Sequence, residues 1–441
     1  MSSLKIYRLV LSIMLCLQYI TNASAQLQFN SLQEVLKFAD KNAIAIKSTE
    51  MQASLRELKV KESKTDLLPT FNKYASFNDN ITLQPSLIPA QIFDPSAPDG
   101  SFREVAFGTK YNYSLGVQVQ WDVLNFQKLF AVKTAKRDWE LGKQNTAVSK
   151  MNTYNSLANT YYSIVLTKDA IKIYDENLKV SKTIYTNAKN NYQKGLISEA
   201  ELNKTKIKFI QTKNNLNTAK NNLAQFYLQL QSQLNSIENI TISGNIHTFE
   251  LINNNIENPH PEILLKEAEI EKQTQLLKQT KALRYPTLSL SYQNNRTWAT
   301  NDFLNFENAQ ELPNQVFSIS LNIPFLFDFK NKQKIKQSKL ELDIKQQELQ
   351  SFYVEKQKED ELLQLQLNQA TLQAQELKEI LNLQKKNDIH ANNKYEKNLI
   401  SLDQRLNQYD DLLLAQDNYL QSIGALAIAK YQLYIRKINY N

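Results

Sequence analysis

Tyr192-Gln193-Lys194-Gly195-Leu196-Ile197-Ser198, followed by Leu202, returns late in the chain as Tyr395-Glu396-Lys397-Asn398-Leu399-Ile400-Ser401, followed by Leu406. Each copy lies between two long runs of helical periodicity, so each is predicted to be the tip of a helical hairpin. Gly195 and Asn398 are the residue types that most readily take the left-handed conformation ending a helix. Ser198 with Glu201, and Ser401 with Gln404, each form the S-x-x-E/Q capping box that opens the next helix. Between stop and start, a Leu-Ile pair is expected to stand exposed at each apex. A single pair would be read as a staple closing its own hairpin. The same pair at both tips points to a docking surface made of Gly195, Leu196, Ile197 and Ser198 with Asn398, Leu399, Ile400 and Ser401.

The flanking runs are long. From about Gln127 to Asn191 no proline interrupts the helical pattern, which at the α-helical rise spans roughly 95–100 Å. Leu157, Ile164, Ile171, Leu178, Tyr185 and Tyr192 recur there at heptad spacing, a seam that winds helices into a left-handed coiled coil. The return helix is predicted from Ser198 to about Leu234. The second hairpin repeats this, reaching about Lys394 with Leu363, Leu367, Ala370, Ala374, Leu377 and Leu381 on one seam and returning from Ser401 to about Ile435. A helix also precedes each pair of strands. One is opened by a Ser31–Glu34 capping box and runs to about Asp66, before Leu67-Leu68-Pro69; the other runs from Pro261 to Ala282, before Tyr285-Pro286.

Strands fill the intervals. Tyr111, Tyr113, Leu115, Val117, Val119 and Trp121 alternate with Asn112, Ser114, Gly116, Gln118 and Gln120, giving one apolar face with aromatic ends and one small polar face. A half-buried soluble strand alternates too. The length, the aromatic ends and the polar opposite face together fit a tilted membrane strand with its apolar side toward lipid. Four strands are expected, at about 70–83, 110–121, 287–293 and 316–323, with a short strand at Ile240-Thr241-Ile242. A long loop carrying Pro85, Pro89, Pro95, Pro98 and Gly100 joins the first pair, and a polar loop with Asn301, Asp302 and Pro313 joins the second. Phe325-Leu326-Phe327-Asp328-Phe329 stands where Trp121 to Phe126 stands in the first half. The chain therefore divides into a leader, 1–25; a first repeat, 26–235; a linker, 236–260; and a second repeat, 261–441. It reads as a duplicated half-molecule.

Composition agrees with a mainly helical protein: only 7 Gly and 10 Pro punctuate 441 residues. The net charge is +8, but the two signs interleave along the helices, which argues against a nucleic-acid surface. Lys5 and Arg8, the apolar stretch from Leu9 to Ile20, and Ala23-Ser24-Ala25 before Gln26 make an export signal. Cys16, the one cysteine, lies inside it after Leu15, a context that does not suit lipidation. The exported chain is expected to have neither disulfides nor cysteine metal sites. His247, His260 and His390 are scattered, and no catalytic or phosphate-binding motif occurs, so neither an enzyme, a cofactor nor a metal is expected. No apolar run after the leader is long enough for a membrane helix. Any crossing falls to the strands.

Four such strands cannot close a barrel, and lipid does not tolerate an open edge. A homotrimer supplying about twelve strands leaves a lumen wide enough for water, which suits inward Ser, Asn, Gly and Gln, whereas about eight strands are largely filled by their own side chains. The helices then hang from one side of the barrel as a tunnel ending in the tips. A periplasmic coiled-coil adaptor is the alternative that shares the leader and hairpins, but it has no need of two pairs of alternating strands.

The tandem layout, the LLPTF and RYPTLSL strand entries, Asn258-Pro259-His260-Pro261-Glu262-Ile263 at the start of the second half, and the paired Y-x-K-G/N-L-I-S tips resemble the TolC family of outer-membrane efflux proteins. The resemblance covers essentially the whole chain after the leader. It implies a trimeric twelve-stranded barrel in outer-membrane lipid, a periplasmic α-helical tunnel, and tips that meet a periplasmic adaptor tied to an inner-membrane transporter. It also implies the function of an exit duct in tripartite efflux or type I secretion. Family members carry an aspartate pair just after the second tip that narrows the entrance. Here the matching positions are Gln404 and Asn407, both neutral, which puts an acidic, cation-blocked gate in doubt.

Overall fold

The computed structural model describes residues 27–244, 256, 258–324 and 329–440. The leader with Cys16, His247, part of the linker and the Phe325-Leu326-Phe327-Asp328 stretch lie outside the described residues. In chain order the elements are β1 (Leu27–Phe29), α1 (Leu32–Asn42), α2 (Ile44–Thr65), β2 (Thr70–Asp79), β3 (Pro85–Pro89), β4 (Phe102–Ala106), β5 (Tyr111–Leu124), α3 (Phe126–Gln193) and α4 (Glu199–Gln233). They continue with β6 (Ile240–Ile242), α5 (Pro261–Lys281), β7 (Thr287–Thr300), β8 (Gln310–Asn322), α6 (Phe329–Glu396) and α7 (Leu402–Arg436). By internal contacts they form two compact units, each drawn from both halves of the chain: 54–141 with 268–347, and the described parts of 1–53, 142–267 and 348–441.

The first of these is the sheet unit. Its four long strands form one antiparallel sheet in the order β2-β5-β7-β8. Opposed residues of antiparallel strands share a face. The register therefore puts Phe71, Ala75 and Phe77 of β2, the Tyr111-to-Trp121 set of β5, Leu290 and Tyr292 of β7, and Phe317, Ile319 and Leu321 of β8 on one side. Many stay open: Leu115 is 56% exposed, Phe317 63% and Ile319 66%. At the loop end of this face Phe77 stacks on Tyr113 at 5.0 Å, while Phe303 and Phe306 of the β7–β8 loop fold onto Tyr111 and Tyr113 at 5.5 and 4.8 Å. At the other end the Trp121 indole Nε1 donates to the Leu67 carbonyl at 3.0 Å.

The strands of the second pair are longer than alternation predicts, β7 running to Thr300 and β8 starting at Gln310. Asn294, Asn295 and Arg296 are polar on both faces, so the period-two signal ends there although backbone pairing with β5 continues. Lys73, Asn294 and Gln315 thus form a polar row beside Val117 on the otherwise apolar face, and Arg296 pairs with Glu311 at 3.0 Å. The first strand is shorter than expected, ending at Asp79. The proline-rich loop holds an unpredicted two-stranded ribbon, β3 with β4, in which Pro85 and Pro89 occupy the terminal pairs where a missing donor costs little. The helical ends in this unit are tied by ion pairs from Asp138 to Lys272 at 2.6 Å and from Arg137 to Glu271 at 2.9 Å.

The helical unit has its main core where α1, α3, α4 and α7 meet a small parallel sheet of β1 and β6. Val35, Ile46, Leu157, Ile164, Leu230 and Ile435 are fully buried there. β1 was not legible beforehand, being three residues long with its partner in the linker. The predicted continuous helix from Ser31 to Asp66 is also corrected. It breaks at Ala43, whose ψ is 122°, where the Asn42 side-chain amide donates to the Phe38 carbonyl at 3.0 Å in competition with the helix. Ser31 caps α1 by accepting from the Glu34 N–H at 3.3 Å. The Glu34 carboxylate accepts from the N–H of Asn30, not of Ser31, at 2.7 Å.

His260 starts α5 from a buried position, 3% exposed. Its Nδ1 accepts from the Glu262 N–H at 3.2 Å, a task only the neutral ring can perform. Burial first, then the Arg436 and Lys356 cations, hold its pKa below the ordinary value, while Glu262 and Glu359 pull weakly the other way. As pH falls, the unfolded chain takes up the proton near about pH 6.5 while the folded chain still resists it. His260 thus contributes stability that is present above that pH and lost as pH falls through the depressed folded value. Denaturation followed by circular dichroism should show a loss of at most about 1.4 kcal/mol per pH unit below pH 6.5 from this group. His260→Asn, which keeps a capping acceptor without a proton to gain, should flatten that slope.

Candidate docking site at the hairpin tips

Both tips are built by one sequence of backbone bonds. At the first, Gly195 takes φ +72°; its N–H donates to the Tyr192 carbonyl at 2.9 Å and the Leu196 N–H to the Asn191 carbonyl at 2.9 Å. At the second, Asn398 takes φ +57°, and the N–H groups of Asn398 and Leu399 donate to the Tyr395 and Lys394 carbonyls at 2.9 and 2.8 Å. This pair of bonds satisfies the last carbonyls of a helix and turns the chain sharply out of it. A Cβ at Gly195 would meet only open space, so the constraint there is the backbone conformation alone.

The next helices start with reciprocal caps. The Ser198 Oγ accepts from the Glu201 N–H at 3.3 Å and the Glu201 carboxylate accepts from the Ser198 N–H at 2.8 Å. Ser401 and Gln404 repeat the exchange at 3.2 and 3.0 Å. The bonds from Ser198 hold the Glu201 carboxyl below the usual carboxylate range.

The two apolar residues of each apex do not share a fate. Leu196 and Leu399 are each 68% exposed, as expected. Ile197 and Ile400 are only half-exposed, and Ile197 packs on a small core of Ala188, Leu402 and Leu406. The expectation of an exposed pair is corrected: the leucine is offered to solvent, whereas Ile197 packs inward against Ala188 of its own hairpin and Leu402 and Leu406 of the other. β-Branched Ile directly before the cap points back at the first turn of the helix, the position of a hydrophobic staple.

Of the positions expected at the entrance, Gln404 and Asn407 are both exposed, and Gln404 already serves the cap. The neighbouring acids are paired with α4: Lys204 with Asp403 at 2.9 Å and Lys208 with Asp410 at 2.6 Å. Sequence reading missed the charge that is buried. Arg405, 2% exposed, binds Asp388 of α6 at 2.5 Å, and its guanidinium lies 5.6 Å from the Tyr409 ring centre. The Tyr409 hydroxyl in turn donates to the Asn177 carbonyl of α3 at 2.8 Å. The stripe Leu402, Arg405, Tyr409, Leu412, Gln416 was the available signal, since it places Arg405 on the inward face of α7. Beside it an open groove of about 710 Å³ runs between the ends of α3 and α6, lined by Asn187, Asn190, Asn191, Asn392 and Asn393. Among the described residues no group of acids and histidines could hold a metal ion.

The packing makes the two residue types separable by experiment. Ile197→Ser should destabilise the helical unit by about 1–2 kcal/mol, whereas Leu196→Ser should stay within about 0.5 kcal/mol, measured by urea denaturation.

Residues 35–236 match the family model of the outer membrane efflux proteins. No curated sequence matches the chain significantly. Among solved structures, a membrane protein from Pseudomonas aeruginosa is 12% identical with a TM-score of 0.74, over 94% of this chain and 90% of that one. The CmeC outer membrane channel of Campylobacter jejuni is 18% identical, TM-score 0.64, over 92% and 84% of the two chains. The open MtrE outer membrane channel of Neisseria gonorrhoeae is 13% identical, TM-score 0.66, over 92% and 88%. At these identities the solved structures speak for the fold, and the family match for the likeness of residues 35–236. The chain is thus similar to the outer membrane efflux proteins over residues 35–236, and over more than nine-tenths of its length it shares the fold of solved outer-membrane channels.

Proposed function

We propose that this protein is the exit duct of a tripartite efflux or type I secretion system. It would pass substrates without energy input of its own from a periplasmic adaptor and inner-membrane transporter to the cell exterior. The observation that carries the reading is the four-stranded sheet, with one exposed apolar face, one polar face and two edge strands, β2 and β8, that have no partner among the described residues. In lipid those edges must be paired. A homotrimer pairs each β8 with the β2 of the next copy, closing a barrel of about twelve strands with water inside. Residues 1–25 direct export, the helical part lies in the periplasm, and the two halves of the chain descend from one duplicated repeat. Leu196 and Leu399, with the caps that hold them, are the adaptor contacts, and Gln404 and Asn407 stand at a neutral entrance. A coiled-coil adaptor, the other reading of the sequence, leaves the sheet without a purpose.

Val117→Arg should cost up to about 2–4 kcal/mol in membrane-inserted trimer, as a cation on the lipid face does near the bilayer midplane. Gln118→Arg should assemble normally and change conductance instead. Equal losses at both positions would overturn the facing. Leu196→Asp combined with Leu399→Asp should abolish export by cells while leaving trimer and insertion intact, and unchanged export would remove the docking role. In planar bilayers the purified protein should show discrete openings that millimolar divalent cations do not block.

A further inference from the structure

One arrangement on the polar face of the sheet exceeds what conduction in general requires. Gly116 lies in the middle of β5, buried and opposite Tyr74 of β2 on one side and Asn295 of β7 on the other. Glycine weakens a strand interior, and its backbone here is not in the left-handed region, so no conformational demand accounts for it. Space accounts for it. A Cβ at residue 116 would stand 2.6 Å from Cζ, 2.7 Å from the hydroxyl oxygen and 2.9 Å from Cε1 of Tyr74. The phenol therefore lies across β5 in the notch that the missing side chain leaves. Its far end is tied down from the next strand: Gln293 Nε2 of β7 donates to the Tyr74 hydroxyl at 2.8 Å, a bond that reaches from β7 to β2 over the top of β5. The neighbours on this face are Asn72, Ser76, Ser114, Gln118 and Asn295, so Tyr74 is the bulkiest side chain in its surroundings.

We propose that Tyr74 sets the bore of the barrel at this level. Folded into the Gly116 notch and held by Gln293, the ring lies along the wall and leaves the lumen clear; filling the notch turns it out into the path of the cargo. The inference rests on the polar face lining the lumen. Because the atoms that a new Cβ would meet are the far end of a rotatable side chain, the ring can swing away and the sheet need not rearrange.

The test reads passage directly. Gln120→Cys lies four residue pairs further from the loop end than Gly116, on the same face, and the natural chain's one cysteine, Cys16, is in the leader. In outer-membrane preparations, this cysteine variant is labelled from outside with a small charged thiol reagent and with a bulky one. Adding Gly116→Ala should leave the small reagent's rate unchanged and slow the bulky one severalfold. Adding Tyr74→Ala as well should restore it. If the bulky reagent is not slowed although the small one still labels, or if the double change stays slow, the role of Tyr74 is wrong and the lumen reading survives. If Gln120→Cys resists even the small reagent without any other change while Val119→Cys accepts it, the facing itself is wrong, and the proposed duct with it.

Discussion

A strand edge in hydrocarbon has no water to bond, and each unpaired N–H or C=O there costs several kcal/mol. In the duct proposed above, β2 and β8, unpaired on their outer sides among the described residues, would each present such an edge along a sheet whose apolar face is already open. This constraint reaches every other feature of the sheet unit. It makes a single copy incomplete in a membrane, and it explains why backbone register, not side-chain pattern, sets strand length. β7 keeps its pairs with β5 through Asn294, Asn295 and Arg296, where side chains no longer distinguish the faces. The polar row that results is accommodated locally, with Arg296 bound to Glu311 and with Lys73 and Gln315 on the two edge strands, where their long stems can reach past the apolar band.

The helical unit obeys a different economy. Much of α6 is bare, and among the described residues burial concentrates in two main places besides a small cluster of Leu367, Ala370, Ala429 and Leu433 between α6 and α7. One is the core around β1, β6 and Val35; the other is the tip region under Leu402, Leu406 and Tyr409. Between them, small and polar contacts hold the helices in register: the Ser181 and Thr212 hydroxyls at 2.6 Å, and Asn177 with Gln416 at 2.7 Å. Such bonds specify alignment better than they add stability, because each replaces a bond to water.

Legibility in the sequence followed range. The tips were readable because a left-handed residue, a cap and its return partner lie within a few positions, and the structure builds both from those residues. The face of β5 was readable because alternation is local. What escaped depended on partners far along the chain: β1 needs β6, the ends of β7 need β5, and the burial of Arg405 needs Asp388 and Tyr409. The division of labour within Leu196-Ile197 escaped for the same reason, since Ile197 is covered by Leu402 and Leu406 from the other hairpin. The break at Ala43 had a local cause, Asn42, but with no proline or glycine beside it the helical pattern reads straight through.

The charges at the second tip differ in what it takes to part them. Lys204 with Asp403 is half exposed on both sides, and such pairs contribute about 0.2–1 kcal/mol, less in salt. Arg405 with Asp388 is buried, and removing a partner from such a pair costs about 3–5 kcal/mol, because the other charge is left without compensation. The first contact joins α7 to α4; the second joins α7 to α6. Tyr409, bonded to the Asn177 carbonyl from beneath the guanidinium, adds a buried hydroxyl that must also stay satisfied. In the duct proposed above, the seam between the two return helices is therefore the one whose ionic contacts exchange readily with water. The second hairpin keeps α6 and α7 together. Its neutral Gln404 and Asn407 stand beside carboxylates already matched by lysines, so separation of that seam, not the binding of a cation, would expose free acid at the entrance.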